Sequence, residues 1–298
     1  MTGDDTNARA EAVRLDEALD DLDWTLLPEG AEKFWVDAPS GRLAAIAMGD
    51  PDAPRILLAP GVTGSKEDFV LMLPLLAAAG YRAESYDMAG QYESGAAGPE
   101  NLVPPRRHYD HDLFVQDMIV MLERAGGPVH VLGYSFAGTV AQLTYIERPE
   151  LFASLTLLSC PPEPGQSFRG IKGVGALTGV ANGRVGAAVM IAGVQANFTR
   201  VPPGRLAFVR SRFAQTRRSS VADIITLMKR APNLRPQLAE AGIPKLVAVG
   251  EHDLWPLELH AGLAEAIGAR LAVYRTGHSP CETAPHELVH DLLATYEN

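Results

Sequence analysis

The 298-residue sequence predicts an α/β protein: a mostly parallel central sheet with helices on both faces. Three observations carry that expectation. From Arg55 onward, short apolar runs alternate with amphipathic stretches, the rhythm of strands and crossover helices. The run Val129 to Leu132 leads into Gly133-Tyr-Ser-Phe-Ala-Gly138, where a strand turns sharply into a helix around one serine. The rhythm stops at Cys160-Pro-Pro-Glu-Pro164 and resumes at Lys245, so one large core carries an insertion.

Taken in order, residues 7–23 hold Val13, Leu15, Leu19 and Leu22 at helical spacing among many acids. They read as an amphipathic helix outside the sheet. Phe34 to Asp37 and Leu43 to Met48 alternate in polarity around Pro39-Ser40-Gly41, an antiparallel hairpin, and Asp50 to Pro54 is a turn. A strand at Ile56 to Ala59 is followed by a helix at Glu67 to Ala79, which Gly80 closes. A strand at Tyr81 to Tyr86 is followed by a helix at His111 to Arg124, closed by Gly126-Gly127. After the serine turn comes a strand at Ser154 to Ser159. Residues 161–240, rich in Gly and then in Arg, are expected to form a mostly helical cap, leaving 1–160 and 241–298 as the core. Lys245 to Val249 and Arg270 to Tyr274 read as strands, Leu257 to Ile267 and Pro285 to Tyr296 as helices.

Composition excludes several classes. Hydrophobic content of 47% against 21% charged is ordinary for a globular protein, and a net charge of −10 argues against a nucleic-acid partner. Two cysteines make no disulfide framework, and Met1 to Thr6 has neither the basic nor the apolar region of a signal peptide. The most apolar stretch, Ile171 to Val194, is interrupted by Lys172, Asn182 and Arg184, so no membrane span is expected. The expectation is a cytoplasmic protein.

The serine is where chemistry enters. A hydroxyl on so tight a turn needs small neighbours, here Gly133 and Ala137, and stands above the sheet at a helix N-terminus. It becomes a nucleophile only with a histidine base held by a carboxylate. Two later strands end in Gly250-Glu-His-Asp253 and Thr276-Gly-His-Ser-Pro280, giving the chain order Ser135, Asp253, His278.

By these motifs, and by Ala59-Pro-Gly-Val-Thr-Gly64, the chain resembles the α/β-hydrolase superfamily from about Phe34 to its C-terminus. The resemblance implies an α/β-hydrolase fold with an inserted cap. It makes Ser135 the nucleophile, His278 the general base and Asp253 the residue that orients it. The backbone N–H groups of Phe136 and Val62 would form the oxyanion hole. The chain departs from the pattern at Ala137, in place of the usual second glycine, and at Pro60-Gly61, where many relatives have His-Gly. It departs again at Asp87-Met-Ala-Gly-Gln-Tyr-Glu-Ser94, where relatives commonly show Asp-x-Arg-Gly-His-Gly-x-Ser.

The implied activity is hydrolysis of a small or medium carboxylic ester through an acyl-enzyme, with no metal or organic cofactor. Thioester hydrolysis, acyl transfer, carbon–carbon bond hydrolysis and perhydrolysis could use the same triad, and a ligand receptor on this scaffold is the non-enzymatic alternative. Epoxide and haloalkane hydrolases would carry Asp where this chain has Ser135. Cys160, Trp255 and Cys281 are candidates to line the pocket, Glu163 is an alternate acid, and Glu251 is expected to turn away from the histidine. His108 and His111 read as a solvated helix start.

Two features stand apart. His286-Glu-Leu-Val-His290 matches a zinc-peptidase helix, yet only eight residues follow it and it falls where the closing helix belongs. The cap carries twelve basic residues against three acidic, +9, while residues 1–30 carry −7. Those arginines could be solvated, could dock the acidic N-terminal helix, or could attract an anionic substrate. Gly175, Gly179 and Gly183 form a four-residue ridge suited to close helix packing.

Overall fold

The computed structural model describes residues 3–165, 167 and 201–297. Among them, eight strands form one sheet: β1 (Glu32–Ala38), β2 (Gly41–Met48), β3 (Arg55–Ala59), β4 (Arg82–Tyr86), β5 (Val129–Tyr134), β6 (Phe152–Leu158), β7 (Lys245–Gly250) and β8 (Arg270–Tyr274). Their order is β1-β2-β4-β3-β5-β6-β7-β8. The hairpin β1–β2 and the pair β2–β4 are antiparallel, and every later pairing is parallel. Strand order reverses about β3, so the crevice at the carboxyl ends of β3 and β5 is where a ligand can enter.

The described helices are α1 (Gly3–Glu17), α2 (Met72–Ala78), α3 (His111–Glu123), α4 (Phe136–Glu147), α5 (Pro203–Gln215), α6 (Arg218–Met228), α7 (Arg235–Ala239), α8 (Leu257–Ile267), α9 (Pro280–Thr283) and α10 (Pro285–Tyr296). Alternation along the strands divides the core into two layers. Leu57, Val131, Leu155 and Val247 pack with α3, α4 and α8 on one face, while Ile56, Leu58, Leu132 and Leu246 pack with α2 and α10 on the other. Each such side chain contributes about 1.5–3 kcal/mol by leaving water.

Two helices differ from expectation. The stretch from Glu67 is a 3-10 turn at Lys66–Phe69 followed by α2 from Met72. One continuous helix would bury Pro74 in its interior, where it breaks the ladder; the split puts Pro74 in the first turn of α2, where it is tolerated. α1 stops at Glu17 rather than running to Asp23. Asp16 Oδ1 and Oδ2 accept the N–H groups of His286 and Glu287 on α10, and Asp21 Oδ2 accepts Gly204 N–H at the start of α5, 2.7 Å away.

The acidic N-terminal helix therefore docks on α10, with Arg9 3.2 Å from Asp291, and among the described residues its ion pairs to other helices are with α10 and not with residues 201–240. The segment after it reaches α5 through Asp21 and through Trp24, whose ring lies 4.3 Å from the Arg205 guanidinium. The glycine ridge at Gly175, Gly179 and Gly183, and the cap bases Arg169, Lys172, Arg184 and Arg200, lie outside the described residues.

Candidate active site

Ser135 stands between β5 and α4 with φ 54°, a left-handed conformation rare outside glycine. Its N–H donates to Leu158 O on the neighbouring strand at 2.8 Å, and its own carbonyl accepts Gly138 N–H at 3.0 Å. The turn closes only because Gly133 has no side chain. A Cβ there would stand 2.6 Å from Ala137 O and from Gly138 Cα.

Two loops bring the partners to this hydroxyl. Asp253 follows β7 and His278 follows β8, and the loops are laced by Glu251 N–H to Tyr274 O at 2.8 Å and His252 N–H to Thr276 O at 3.0 Å. Gly250 permits the crossing, since a Cβ there would fall 2.0 Å from Gly277 O. The result is a relay: Ser135 Oγ is 3.2 Å from His278 Nε2, and His278 Nδ1 is 2.5 Å from Asp253 Oδ1. The rings of Tyr134 and Trp255 lie 5.3 and 5.8 Å from the imidazole, and Tyr134 Oη is hydrogen-bonded to Ser279 Oγ at 2.7 Å. Burial alone would raise the Asp253 pKa, but hydrogen bonds from His260 and His278 outweigh it and hold the carboxyl at about 2.

His260 was not singled out by sequence reasoning. It sits on α8, fully buried, with Nε2 2.8 Å from Asp253 Oδ2. The signal available was a histidine on the same face as Leu263, Ala264 and Ile267, positions i+3, i+4 and i+7 of a helix that buries that face.

Phe136 opens α4, so its N–H is one of those a helix's own ladder leaves unpaired. Val62 lies in a loop pinned on both sides. Gly64 N–H donates to Gly61 O at 3.0 Å, and Thr63 N–H donates to Gln91 Oε1 at 2.7 Å. The segment that departs from the usual pattern thus supports this loop. Asp87 Oδ1 accepts Lys66 N–H at 2.8 Å, and the buried Lys66 Nζ pairs with Asp87, Glu67 and Glu93. Burial, partly offset by Lys66, pushes the Asp87 carboxyl up to about 7.

The other expected residues take identifiable places. Cys160 is buried against the first turn of α4, where it accepts Gln142 Nε2–H, and Cys281 is buried in the opposite core layer. Both are free thiols, and burial pushes that of Cys160 up to about 12. Trp255 is buried too, its Nε1–H donating to Ser167 O at 2.5 Å. Glu163 pairs with Arg235 and Glu251 with His252, so neither reaches His278. His111 stacks on Phe136 with ring centres 6.1 Å apart, and burial lowers its pKa, so it is not a solvated helix start. His108 is exposed and pairs with Asp223. In the zinc-like segment, His286 Nδ1 lies 2.7 Å from Asp16 and Glu287 pairs with Arg9. No group of three or more His, Cys, Asp or Glu among the described residues is placed to hold a metal ion.

A model of the alpha/beta hydrolase family matches residues 56–292, the span from β3 through most of α10. The chain belongs to the alpha/beta hydrolase family. Within this alpha/beta hydrolase, one stretch is 31% identical over 133 residues to bifunctional epoxide hydrolase 2 of Mus musculus, covering 43% of the chain and 23% of that protein. Another match is 32% identical over 132 residues to the probable oxidoreductase EphD of Mycobacterium tuberculosis, 43% of the chain and 21% of that protein. The chain spans less than a quarter of the length of these curated relatives.

Solved structures agree on the fold over nearly the whole alpha/beta hydrolase chain. A hydrolase from Pseudomonas aeruginosa aligns with TM-score 0.70 at 21% identity, covering 90% of this chain and 98% of that one. A thermophilic esterase from Thermogutta terrifontis aligns with TM-score 0.68 at 19% identity, covering 90% and 100%. Among the described residues, no helix of this alpha/beta hydrolase is long and apolar enough to cross a membrane.

Proposed function

We propose that the chain is a serine hydrolase that cleaves a small or medium carboxylic ester through an acyl-enzyme on Ser135. The observation that carries this reading is the relay of 3.2 and 2.5 Å contacts from Ser135 Oγ through His278 to Asp253. Asp253, with its pKa held at about 2, is a carboxylate at neutral pH and can only accept. The proton of a neutral His278 therefore sits on Nδ1, and the Nε2 lone pair faces the serine hydroxyl.

The steps follow from that arrangement. His278 Nε2 takes the Ser135 proton as Oγ attacks the ester carbonyl, and the oxyanion forms against Phe136 N–H and Val62 N–H. The imidazolium then gives its proton to the leaving alcohol. Water enters, His278 takes its proton, and a second tetrahedral intermediate releases the acid and restores Ser135.

The curated relatives bear the names of an epoxide hydrolase and a probable oxidoreductase. A serine at the elbow favours acyl chemistry instead, because by family resemblance epoxide opening uses an aspartate there. Residues 161–240 act as the cap over this site. Four of its described arginines pair with acids: Arg205 and Arg212 with Asp68, Arg217 with Glu100, and Arg235 with Glu163.

Ser135→Ala is the test. It is expected to abolish hydrolysis of short-chain esters and labelling by a fluorophosphonate while the protein stays folded. Retention of most activity would remove the assignment. Labelling without steady-state turnover on esters or thioesters would favour the receptor reading.

A further inference from the structure

Asp253 has a second imidazole on it. His278 Nδ1 meets Oδ1 at 2.5 Å, and His260 Nε2 meets Oδ2 at 2.8 Å. The carboxylate is almost completely buried, and His260 is completely so. Since the carboxylate oxygen only accepts, His260 carries its proton on Nε2 and donates it. Its Nδ1 has no hydrogen-bond partner among the described residues, so the Asp253 contact is the one that orients the ring. The other donor near Oδ2 is Trp255 N–H, at a long 3.5 Å.

We propose that His260 is a positioning residue: it grips Oδ2 of Asp253 and takes a share of the carboxylate's charge, so that Oδ1 is aimed at His278 with a fixed strength. The proposal rests on Ser135, His278 and Asp253 being the working triad. A buried carboxylate with one partner can rotate about its side-chain bonds, whereas one held at both oxygens cannot, and a displacement of about 1 Å in such a group can cost on the order of a hundredfold in rate. Held only by His278, the carboxylate would also give it its whole charge and strengthen its hold on the proton.

Among the described residues, the neighbouring charges are engaged elsewhere. Around α8, Arg235 on α7 binds Glu163 and Pro162 O, and Lys245 on β7 binds Ala241 O. On β8, Arg270 and Tyr274 both engage Asp291. The Cys160 thiol near Asp253 is pushed up to about 12 and stays neutral.

Two variants separate positioning from packing. Gln carries an amide N–H at the reach of Nε2, and Met has nearly the same length and no donor. His260→Met is expected to lower kcat on a short-chain ester about tenfold or more with KM little changed, and to move the acid limb of the pH–kcat profile up by about half a unit or more. His260→Gln is expected to restore most of kcat and return the limb. Equal behaviour of the two variants, or a limb that stays in place or moves down in His260→Met, overturns the proposal. If His260→Met does not fold, nitrogen NMR of the wild-type histidines decides, because an Nδ1–H tautomer at His260 is incompatible with the grip. Fluorophosphonate labelling of the wild type runs alongside. A wild type that labels on Ser135 with a silent Met–Gln pair removes His260 alone, whereas absent labelling removes the triad and this proposal with it.

Discussion

Gly133 shows how little room the elbow has. Its missing Cβ would press on the carbonyl of Ala137 and on Gly138 Cα, both backbone atoms of the turn that carries Ser135. Backbone yields less readily than the end of a side chain, and Ser135 already holds a strained left-handed conformation. Gly133→Ala is therefore expected to destabilise the protein by about 1–3 kcal/mol, read as a lower urea midpoint, and to slow fluorophosphonate labelling. An unchanged midpoint would mean that the turn has slack. Sequence reasoning reached Gly133 and Ser135 because their constraint is local, within six residues of chain. His260 escaped it because the carboxylate it grips is claimed by a histidine from another loop, and no spacing encodes that meeting.

The closing helix borrows its cap from the other end of the chain. Ala284 precedes α10 and offers no side-chain acceptor, yet the N–H groups of His286 and Glu287 donate to Asp16 of α1 at 3.0 and 2.9 Å. His286 Nδ1 lies 2.7 Å from the same carboxylate. Removing a capping acid costs about 0.5–2 kcal/mol. Asp16→Ala is expected to lose the upper part of that range, seen as a fall in Tm, because the His286 contact goes as well. A Tm equal to the wild type would show that Asp16 adds nothing to the docking of α1, leaving it to Arg9 and apolar contact. The zinc-like spacing of His286 and His290 was visible in the sequence; that Asp16 engages the first of them was not, since the two are 270 residues apart.

Around α5, charges serve to fasten. Arg205 and Arg212 of α5 both lie 2.6 Å from Asp68 Oδ1, Arg205 also pairs with Glu282 of α9, and Arg212 donates to Ser65 Oγ at 3.1 Å. All four charged groups are buried or nearly so. Removing one partner of a buried pair leaves the other uncompensated and typically costs about 3–5 kcal/mol. Asp68→Ala is expected to fall in that range by chemical denaturation, since it strands Arg212 without a carboxylate and leaves Arg205 with Glu282 alone. A loss under about 1 kcal/mol would mean that water reaches them. The same cluster ties α5 to α9, which begins two residues after His278, so α5 and the loop that carries His278 share a support.

Much of this protein was written locally. Strand and helix periodicity set the parallel sheet from β3 onward, because burial on two faces forces apolar runs and burial on one forces a helical stripe. The serine turn and the Asp and His at later strand ends were equally plain, since each is a short motif at a predictable place in a parallel sheet. The tertiary structure alone decided which side chains share Asp253, where the acidic helix docks and what Arg205 and Arg212 bind. Those outcomes depend on contacts between residues far apart in sequence, selected by burial. A buried charge must find a partner wherever the fold supplies one, and no local pattern records which partner that is.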